Sequence, residues 1–530
     1  MTPPADRPER PDRRATTAPI DQGIVSGERR RAHAELLERA ARAAGGLRAL
    51  GVGEDDAVAV LMRNDIAFVE AVLGIAQVGA YSVPINWHFK ADEVGYILRD
   101  AGAKLLVVHA DLLPGVAAAL PPGIELRVVP TPAELAQAYR IAPQACAVPA
   151  GAIAWDDWLA QQPPDPRAVD SPRSSMLYTS GTTGHPKGVR RAPLSPQQAV
   201  AAREVARLGY GLDPAEPIRA LMPGPIYHSA PHAYSLGTVR SGGLLVLMPR
   251  FDPEALLQLI ERHRISHLYA VPTMFVRLLQ LPESVRAGYD VSTLRHVIHG
   301  AAPCPREVKL RMIDWWGPVI HEFYGATESG IVTVADSRMA LERPGTVGRA
   351  LPGATVRILD AQGRELPPNE PGEVFVCQGA FSAFTYHGLP ERRAEIDRDG
   401  LITCGDVGYL DEDGYLFLCD RVRDMVILGG TNIYPAEIEG VLVQMPGVKD
   451  CAVFGIPHDV LGEQLCAHVE PQPGVELGED AVRDWLRARI ADYKVPNRIV
   501  FQSPLPREDS GKIFKRRLRE PYWRDAGRNI

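Results

Sequence analysis

The chain has 530 residues, 45% of them hydrophobic and 23% charged, the composition of a folded globular protein long enough for more than one core. Its net charge of −7 argues against a nucleic-acid binder held by electrostatics. The cysteines at 146, 304, 377, 404, 419, 451 and 466 make no C-x-x-C pair, and their odd number is no disulfide framework, so free thiols in a reducing, cytoplasmic setting are expected.

Residues 1–30 combine Arg and Pro with Asp6, Glu9, Asp12, Asp21 and Glu28. They lack the apolar stretch of a secretion signal and the acid-poor character of a transit peptide, so a disordered arm is expected there. From about Arg30 to Leu50 an alanine-rich pattern repeats Leu36, Leu37, Ala40 and Ala44 at helical spacing. The runs 57–61, 105–108 and 244–248 read as buried parallel strands, and a helix over 253–264 precedes another strand at 267–271. The most apolar stretch, 71–85, is broken by Gln77, two glycines, Ser82 and Pro84, and falls short of the ~18 residues that suggest a membrane span, so no integral membrane association is expected. Residues 163–172 read as an exposed connector.

The texture changes after Gly345. Glycine- and proline-rich sequence carries short β-like runs at 355–359 and 373–377, as in a small barrel-like unit. A further α/β pattern follows Asp420, with helices over 436–444 and 479–489 around a strand at 451–454. The expected fold is α/β: a large N-terminal domain of α/β-layered sheets with a small β-barrel-like unit, residues 31–420, hinged near 421–423 to a smaller C-terminal α+β domain, residues 421–530.

Residues 177–189 read Leu-Tyr-Thr-Ser-Gly-Thr-Thr-Gly-His-Pro-Lys-Gly-Val. Glycines let backbone approach an anion, hydroxyls and amides donate to phosphate oxygens, and lysine adds a charge. A P-loop would need Gly in place of Pro186 and Ser or Thr in place of Gly188, so that template fails. The stretch instead resembles the phosphate-binding loop of the adenylate-forming (ANL) superfamily: acyl-CoA synthetases, luciferase-type enzymes and peptide-synthetase adenylation domains. Four more segments resemble the same family. These are Met222-Pro-Gly-Pro-Ile-Tyr-His-Ser-Ala230, His321-Glu-Phe-Tyr-Gly-Ala-Thr-Glu328, Cys404-Gly-Asp-Val-Gly-Tyr-Leu410 with Asp420 to Gly430, and Pro504 to Leu518.

The resemblance implies a set of roles. Thr179, Ser180, Gly181, Thr182, Thr183, Gly184 and Lys187 would hold ATP phosphates, and Thr179 and Glu328 would hold Mg²⁺. Gly300, Ala301 and Ala302 would line the adenine, Tyr324 would stack on it, and Gly325, Ala326 and Thr327 belong to the same nucleotide site. Asp406 would accept the ribose hydroxyls, and Arg421 would reach the nucleotide at the domain junction. His228 would sit beside the substrate carboxylate, and Lys512 would be the catalytic lysine of the small domain. Gly429 and Gly430 would border the coenzyme A tunnel, and Lys515, Arg516 and Arg517 would meet the CoA 3′-phosphate. Arg423 stands at the hinge position where aspartate or lysine is usual, and Cys404 replaces a common threonine.

The implied reaction is an AMP-forming acid–thiol ligation, with ATP, Mg²⁺ and CoA required. The segment 226–238, expected to line the acyl pocket, has no Asp or Glu and is small-residue rich apart from Tyr234. An amino-acid ammonium would lack a partner there, so the expected acid is fatty, or a bulky aryl or steroid acid. The stretch from Tyr227 to Tyr324 and the segment Phe384-Thr-Tyr-His-Gly388 look most like bacterial fatty-acid and bile-acid-type CoA ligases. Loading of an acyl carrier protein is the alternative, and a homodimer is compatible with the sequence.

Overall fold

Ala57–Leu61 is buried along its whole length, as an unbroken apolar run must be when helices cover both faces of its sheet. The computed structural model describes residues 22–170, 172–179, 186–421, 424–428, 431–458, 462–507 and 513–524. In it this strand pairs in parallel with Tyr81–Pro84 and Ala103–His109, and Glu125–Val129 completes the small sheet.

A second sheet has fourteen strands among the described residues. Its parallel part runs Gly23–Ser26, Leu244–Leu247, Arg219–Met222, His267–Ala270, His296–His299, Ile320–Ala326. Antiparallel strands continue through Gly330–Ala335, Thr346–Ala350, Tyr415–Arg421, Leu401–Leu410 and Gly372–Gln378 to Ala354–Leu359. The strands expected as a barrel-like unit therefore continue the ladder of the parallel ones. They nevertheless close over an interior of their own, built from Val332, Ile358, Val374, Val376 and Leu416.

The main core lies between the two sheets. Leu36 and Leu47 of helix His33–Ala49, Phe68 and Ile75 of helix Ile66–Gln77, and Tyr234 and Val239 of helix Ser229–Arg240 fill it. The first two helices approach closely: a Cβ on Gly74 would lie 2.6 Å from that of Ala43. Helices Pro253–His263, Pro272–Leu279 and Arg306–Trp316 cover the far side of the large sheet. The first of these is begun by the Asp252 carboxylate accepting from the Ala255 N–H and ended by Arg264 at φ 49°.

Residues 22–30 correct the expected arm. Gly23–Ser26 pairs with Leu244–Leu247 and with Arg29–Ala32, and Ile24 and Val25 are fully buried. Two apolar residues flanked by charges are too short a signal to read, yet one sheet edge suffices to order them. Arg29 anchors the turn on Asp65 at 2.7 Å and Glu134 at 2.6 Å. The following helix consequently begins at His33. Residues 1–21 of the expected arm lie outside the described residues. The 163–170 connector is mostly exposed as expected, but Asp165 ties it down: its N–H donates to the Ala41 carbonyl at 2.9 Å and its carboxylate pairs with Arg48.

Beyond the large sheet, Val448–His458, Gly462–Pro471, Val426–Leu428, Thr431–Ile433 and Arg498–Phe501 form a separate five-stranded sheet. Helices Pro435–Leu442 and Glu479–Arg487 pack on it through Ile438, Leu442, Val482 and Leu486, giving a smaller α+β domain. No helix among the described residues is long and apolar enough to cross a membrane.

Candidate active site

In an open α/β sheet, ligands bind where loops leave the carboxyl ends of the strands. Three strands of the parallel part end here in motif residues. Arg219–Met222 leads to His228, His296–His299 leads to Gly300, Ala301 and Ala302, and Ile320–Ala326 carries Tyr324, Gly325 and Ala326. The loops open into one cleft of about 3980 Å³ whose walls include Thr179, Lys187, His228, Tyr324, Glu328 and Asp406. The small domain contributes Glu437, Arg507 and Phe514 to the same cleft, and Asp420 lines it from strand Tyr415–Arg421 of the large sheet.

Glu328 is the centre of the polar part. Its Oε1 accepts from the Tyr386 hydroxyl at 3.0 Å and, at a longer 3.4 Å, from Thr179 Oγ1. Thr179 also donates to the Lys187 carbonyl at 3.5 Å. The strands Leu177–Thr179 and Lys187–Arg191 pair antiparallel, and Phe384–Tyr386 adds on the other side, so the stem of the phosphate loop and Tyr386 are set by one small sheet. Lys187 Nζ lies over the Tyr386 ring, 5.1 Å from its centroid. Burial, with the adjacent Glu328 charge, pushes the Tyr386 phenol well above its ordinary range, so it stays a donor.

Arg191 holds the backbone of this segment: it donates to the carbonyls of Thr327 at 3.2 Å, of Glu328, and of Ser382 at 2.6 Å. Burial brings its pKa down to about 10, which leaves it charged at neutral pH. Thr327 Oγ1 donates to Ser229 Oγ at 3.0 Å, joining the acidic segment to the start of helix Ser229–Arg240, where His228 is the N-cap residue.

On the side expected to take the nucleotide, Tyr324 donates its hydroxyl to Asp406 Oδ2 at 2.8 Å. A bulge between Tyr324 and Gly325 turns the strand there, and a Cβ on Gly325 would meet the Gly330 carbonyl at 2.1 Å. A Cβ on Gly300 would meet the Phe323 ring at 2.5 Å, while Ala301 sits at φ 68°, so this turn is held tightly against the neighbouring strand. Asp406 faces Arg421 across the ladder, which sets the latter's backbone at the edge of the cleft. The hydroxyl absent at Cys404 has a neighbour at Thr403, which accepts from the Gly405 N–H at 2.9 Å and donates to Glu373 at 2.7 Å.

Ser180, Gly181, Thr182, Thr183, Gly184, Arg423, Gly429, Gly430 and Lys512 lie outside the described residues, as does the Arg421 side chain. Of the basic cluster expected at the CoA 3′-phosphate, Lys515 lines the cleft and pairs with Glu439 at 2.7 Å, inside the small domain; against its burial, Glu439, Asp420 and Asp424 raise its pKa.

The sequence reading did not single out Tyr386, Arg191, Asn64 or His232. Tyr386 and Arg191 carry no spacing signal, because a sheet contact between residues 191 and 384 brings them to Glu328.

The AMP-binding enzyme family matches residues 7–386, and the AMP-binding enzyme C-terminal domain matches residues 437–512. The chain is 36% identical to a feruloyl-CoA synthase of Amycolatopsis sp over 97% of its length and 98% of the relative's. It is 34% identical to the long-chain-fatty-acid–CoA ligase FadD13 of Mycobacterium tuberculosis, covering 96% of this chain and 97% of that one. The fold superposes on the crystal structure of ATP-bound MatB from Rhodopseudomonas palustris with a TM-score of 0.82 and 30% identity, over 96% and 97% of the two chains. With both domains matched and near-complete coverage of these relatives, the chain belongs to the AMP-binding enzyme family, as an adenylate-forming acyl-CoA ligase.

Proposed function

We propose that this ligase activates a ring-bearing hydrophobic acid, of the aryl or similarly bulky kind, and passes it to CoA. The observation that carries this is the wall of the cleft beyond His228. Tyr210, Tyr269 and Phe323 line it, with ring centroids 6.1 Å (Tyr210–Phe323) and 6.3 Å (Tyr269–Phe323) apart. Tyr234 backs them at 5.7 and 5.8 Å. A wall of aromatic rings, Tyr210 edge-to-face with Phe323 and Tyr234, and Tyr269 tilted against the same two rings, favours a flat guest over a flexible chain. The likeness to a feruloyl-CoA synthase supports the same choice. The likeness to a fatty-acid–CoA ligase supports a fatty acid as the second reading.

The chemistry follows from charge. The acid carboxylate attacks the α-phosphorus of ATP, pyrophosphate leaves, and the acyl-adenylate then yields its acyl group to the CoA thiol with release of AMP. Negative charge grows on the phosphate oxygens, so fixed donors and cations near them lower the barrier. Lys187 and the loop from Thr179 are proposed to receive the pyrophosphate end, Asp406 the ribose, and Lys512 the α-phosphate and bridging oxygen. Tyr324 is proposed to flank the adenine and His228 to adjoin the carboxylate. Glu328, Thr179 and Tyr386 present only oxygen atoms, the donors that a hard dication takes. This donor set fits Mg²⁺, which Glu328 and Thr179 would hold and which would neutralise phosphate charge there.

AMP release from ATP and CoA, measured over aryl, steroid and fatty acids, tests the proposal. Aryl acids should give the highest kcat/KM, and a preference for fatty acids would overturn it. Replacing CoA by an acyl carrier protein in the same assay separates the two acceptors. A homodimer is tested by its mass in solution.

A further inference from the structure

The loop 223–228 leaves strand Arg219–Met222 and delivers His228 to helix Ser229–Arg240. It contains two prolines and a glycine, so nothing regular holds it. Instead the Ile226 peptide is gripped on both sides. Its N–H donates to Asn64 Oδ1 at 2.9 Å, and its carbonyl lies 3.0 Å from His232 Nδ1. The Asn64 amide donates as well to the Gly224 carbonyl at 2.8 Å and to the Met248 carbonyl at 3.2 Å. Asn64 thus spends its acceptor and both amide hydrogens on this loop and the neighbouring strand end, at 6% exposure.

His232 lies one helical turn beyond His228, and its N–H donates to the His228 carbonyl at 2.9 Å. It is 4% exposed, and burial holds its imidazole down to about 4, so the ring is neutral at pH 7. A carbonyl can only accept, so Nδ1 carries the proton and Nε2 is left to accept. The Ser175 hydroxyl donates to it, with Oγ 2.6 Å from Nε2, and Ser82 Oγ stands a further 2.6 Å behind. Ser175 leads into Leu177–Thr179, the stem of the phosphate loop. One ring therefore joins the stem of the phosphate loop to the loop that carries His228.

We infer that Asn64 and His232 are positioning residues for adenylation: together they hold the Ile226 peptide, and through it His228, in register with the phosphate loop. The inference rests on the reading of His228 as the neighbour of the substrate carboxylate. The attack on phosphorus needs the carboxylate and ATP placed to within a fraction of an ångström, and a displacement of about 1 Å from a remote change costs on the order of 100-fold.

The test compares His228→Ala, Asn64→Ala, His232→Leu, His232→Asn and Ser175→Ala in the full chain. Acid-dependent ATP–pyrophosphate exchange, thioester formation from supplied acyl-adenylate, and thermal midpoint are measured for each. Asn64→Ala and His232→Leu should lower exchange kcat by roughly 10- to 100-fold per folded enzyme, with ATP affinity and the thioester step changed by less than about threefold. His232→Asn, whose amide still offers a donor toward the Ile226 carbonyl, should recover part of the loss. If either severe variant fails to fold, Ser175→Ala decides, because it removes one hydroxyl and should still slow exchange several-fold. Exchange unchanged in the folded variants while His228→Ala is slow would overturn the positioning role. Loss of both half-reactions in proportion to the thermal midpoint would overturn it as well. Full exchange in His228→Ala would instead remove the reading on which it rests.

Discussion

Replacing Tyr386 by phenylalanine deletes one hydroxyl and leaves the ring on which Lys187 rests at 5.1 Å. The lost contact is the 3.0 Å hydrogen bond to Glu328 Oε1, the shorter of the two that hold this oxygen, since Thr179 stands at 3.4 Å. Tyr386 is 7% exposed, so water does not readily take the place of the hydroxyl. A hydrogen bond to a charged group contributes about 1.5–3 kcal/mol, and each 1.4 kcal/mol is a factor of ten. If Glu328 must be held in one orientation to act on the phosphates, the expected fall in kcat/KM for ATP–pyrophosphate exchange is therefore roughly 10- to 100-fold. The assay is acid-dependent exchange at saturating ATP over a Mg²⁺ titration, with Tyr386→Phe expected to need more Mg²⁺ for half-maximal rate. Thioester formation from supplied acyl-adenylate should be unchanged, because in that step the thiol displaces AMP from the acyl carbon and no pyrophosphate leaves. Wild-type exchange at limiting Mg²⁺ would refute the reasoning and reduce the Tyr386–Glu328 contact to packing.

Lys512→Ala should lower exchange by roughly 10²–10³-fold or more while sparing thioester formation from supplied acyl-adenylate; equal loss of both half-reactions would show that the lysine has no special part in adenylation. Gly300→Ala forces a methyl to within 2.5 Å of the Phe323 ring, and overpacking of this kind costs about 1–3 kcal/mol, so a lower thermal midpoint and a raised KM for ATP are expected together. Buried imidazoles predict acid instability. His232 and His267 are depressed by burial to about 4, so the unfolded chain takes up protons below about 6.5 while the folded one resists until about 4. Stability should then fall as pH drops through that window, by on the order of 3 kcal/mol for each ring, read as the urea midpoint against pH. A flat midpoint between pH 6.5 and 4.5 would contradict it.

The strands Ala57–Leu61, Ala103–His109, Leu244–Leu247 and His267–Ala270 were legible as short apolar runs because burial on two faces leaves no room for polar alternation. Helices such as Pro253–His263 were legible too, since amphipathic spacing and capping are local. The strand at Gly23–Ser26 was not, because its order comes from Leu244–Leu247, a partner more than two hundred residues away. The run-on of the antiparallel strands from the parallel ones was equally hidden, since pairing between Tyr415–Arg421 and Thr346–Ala350 leaves no mark in either segment alone.

The same division holds at the site. By itself the sequence determined the reaction class, because groups proposed to meet ATP along one loop or one strand end stand at the spacings that the family shares: Thr179 with Lys187, Tyr324 with Glu328, Asp406 with Arg421. Only the tertiary structure decided what holds those groups. The Tyr386 hydroxyl reaches Glu328 across a three-stranded sheet, and Asn64 reaches Ile226 from the other sheet domain. It also brought Lys515 to a carboxylate, Glu439, on a neighbouring helix. Ligand contacts constrain neighbours in sequence, whereas orientation and neutralisation need only neighbours in space, and any residue of suitable chemistry that the fold brings near can supply them.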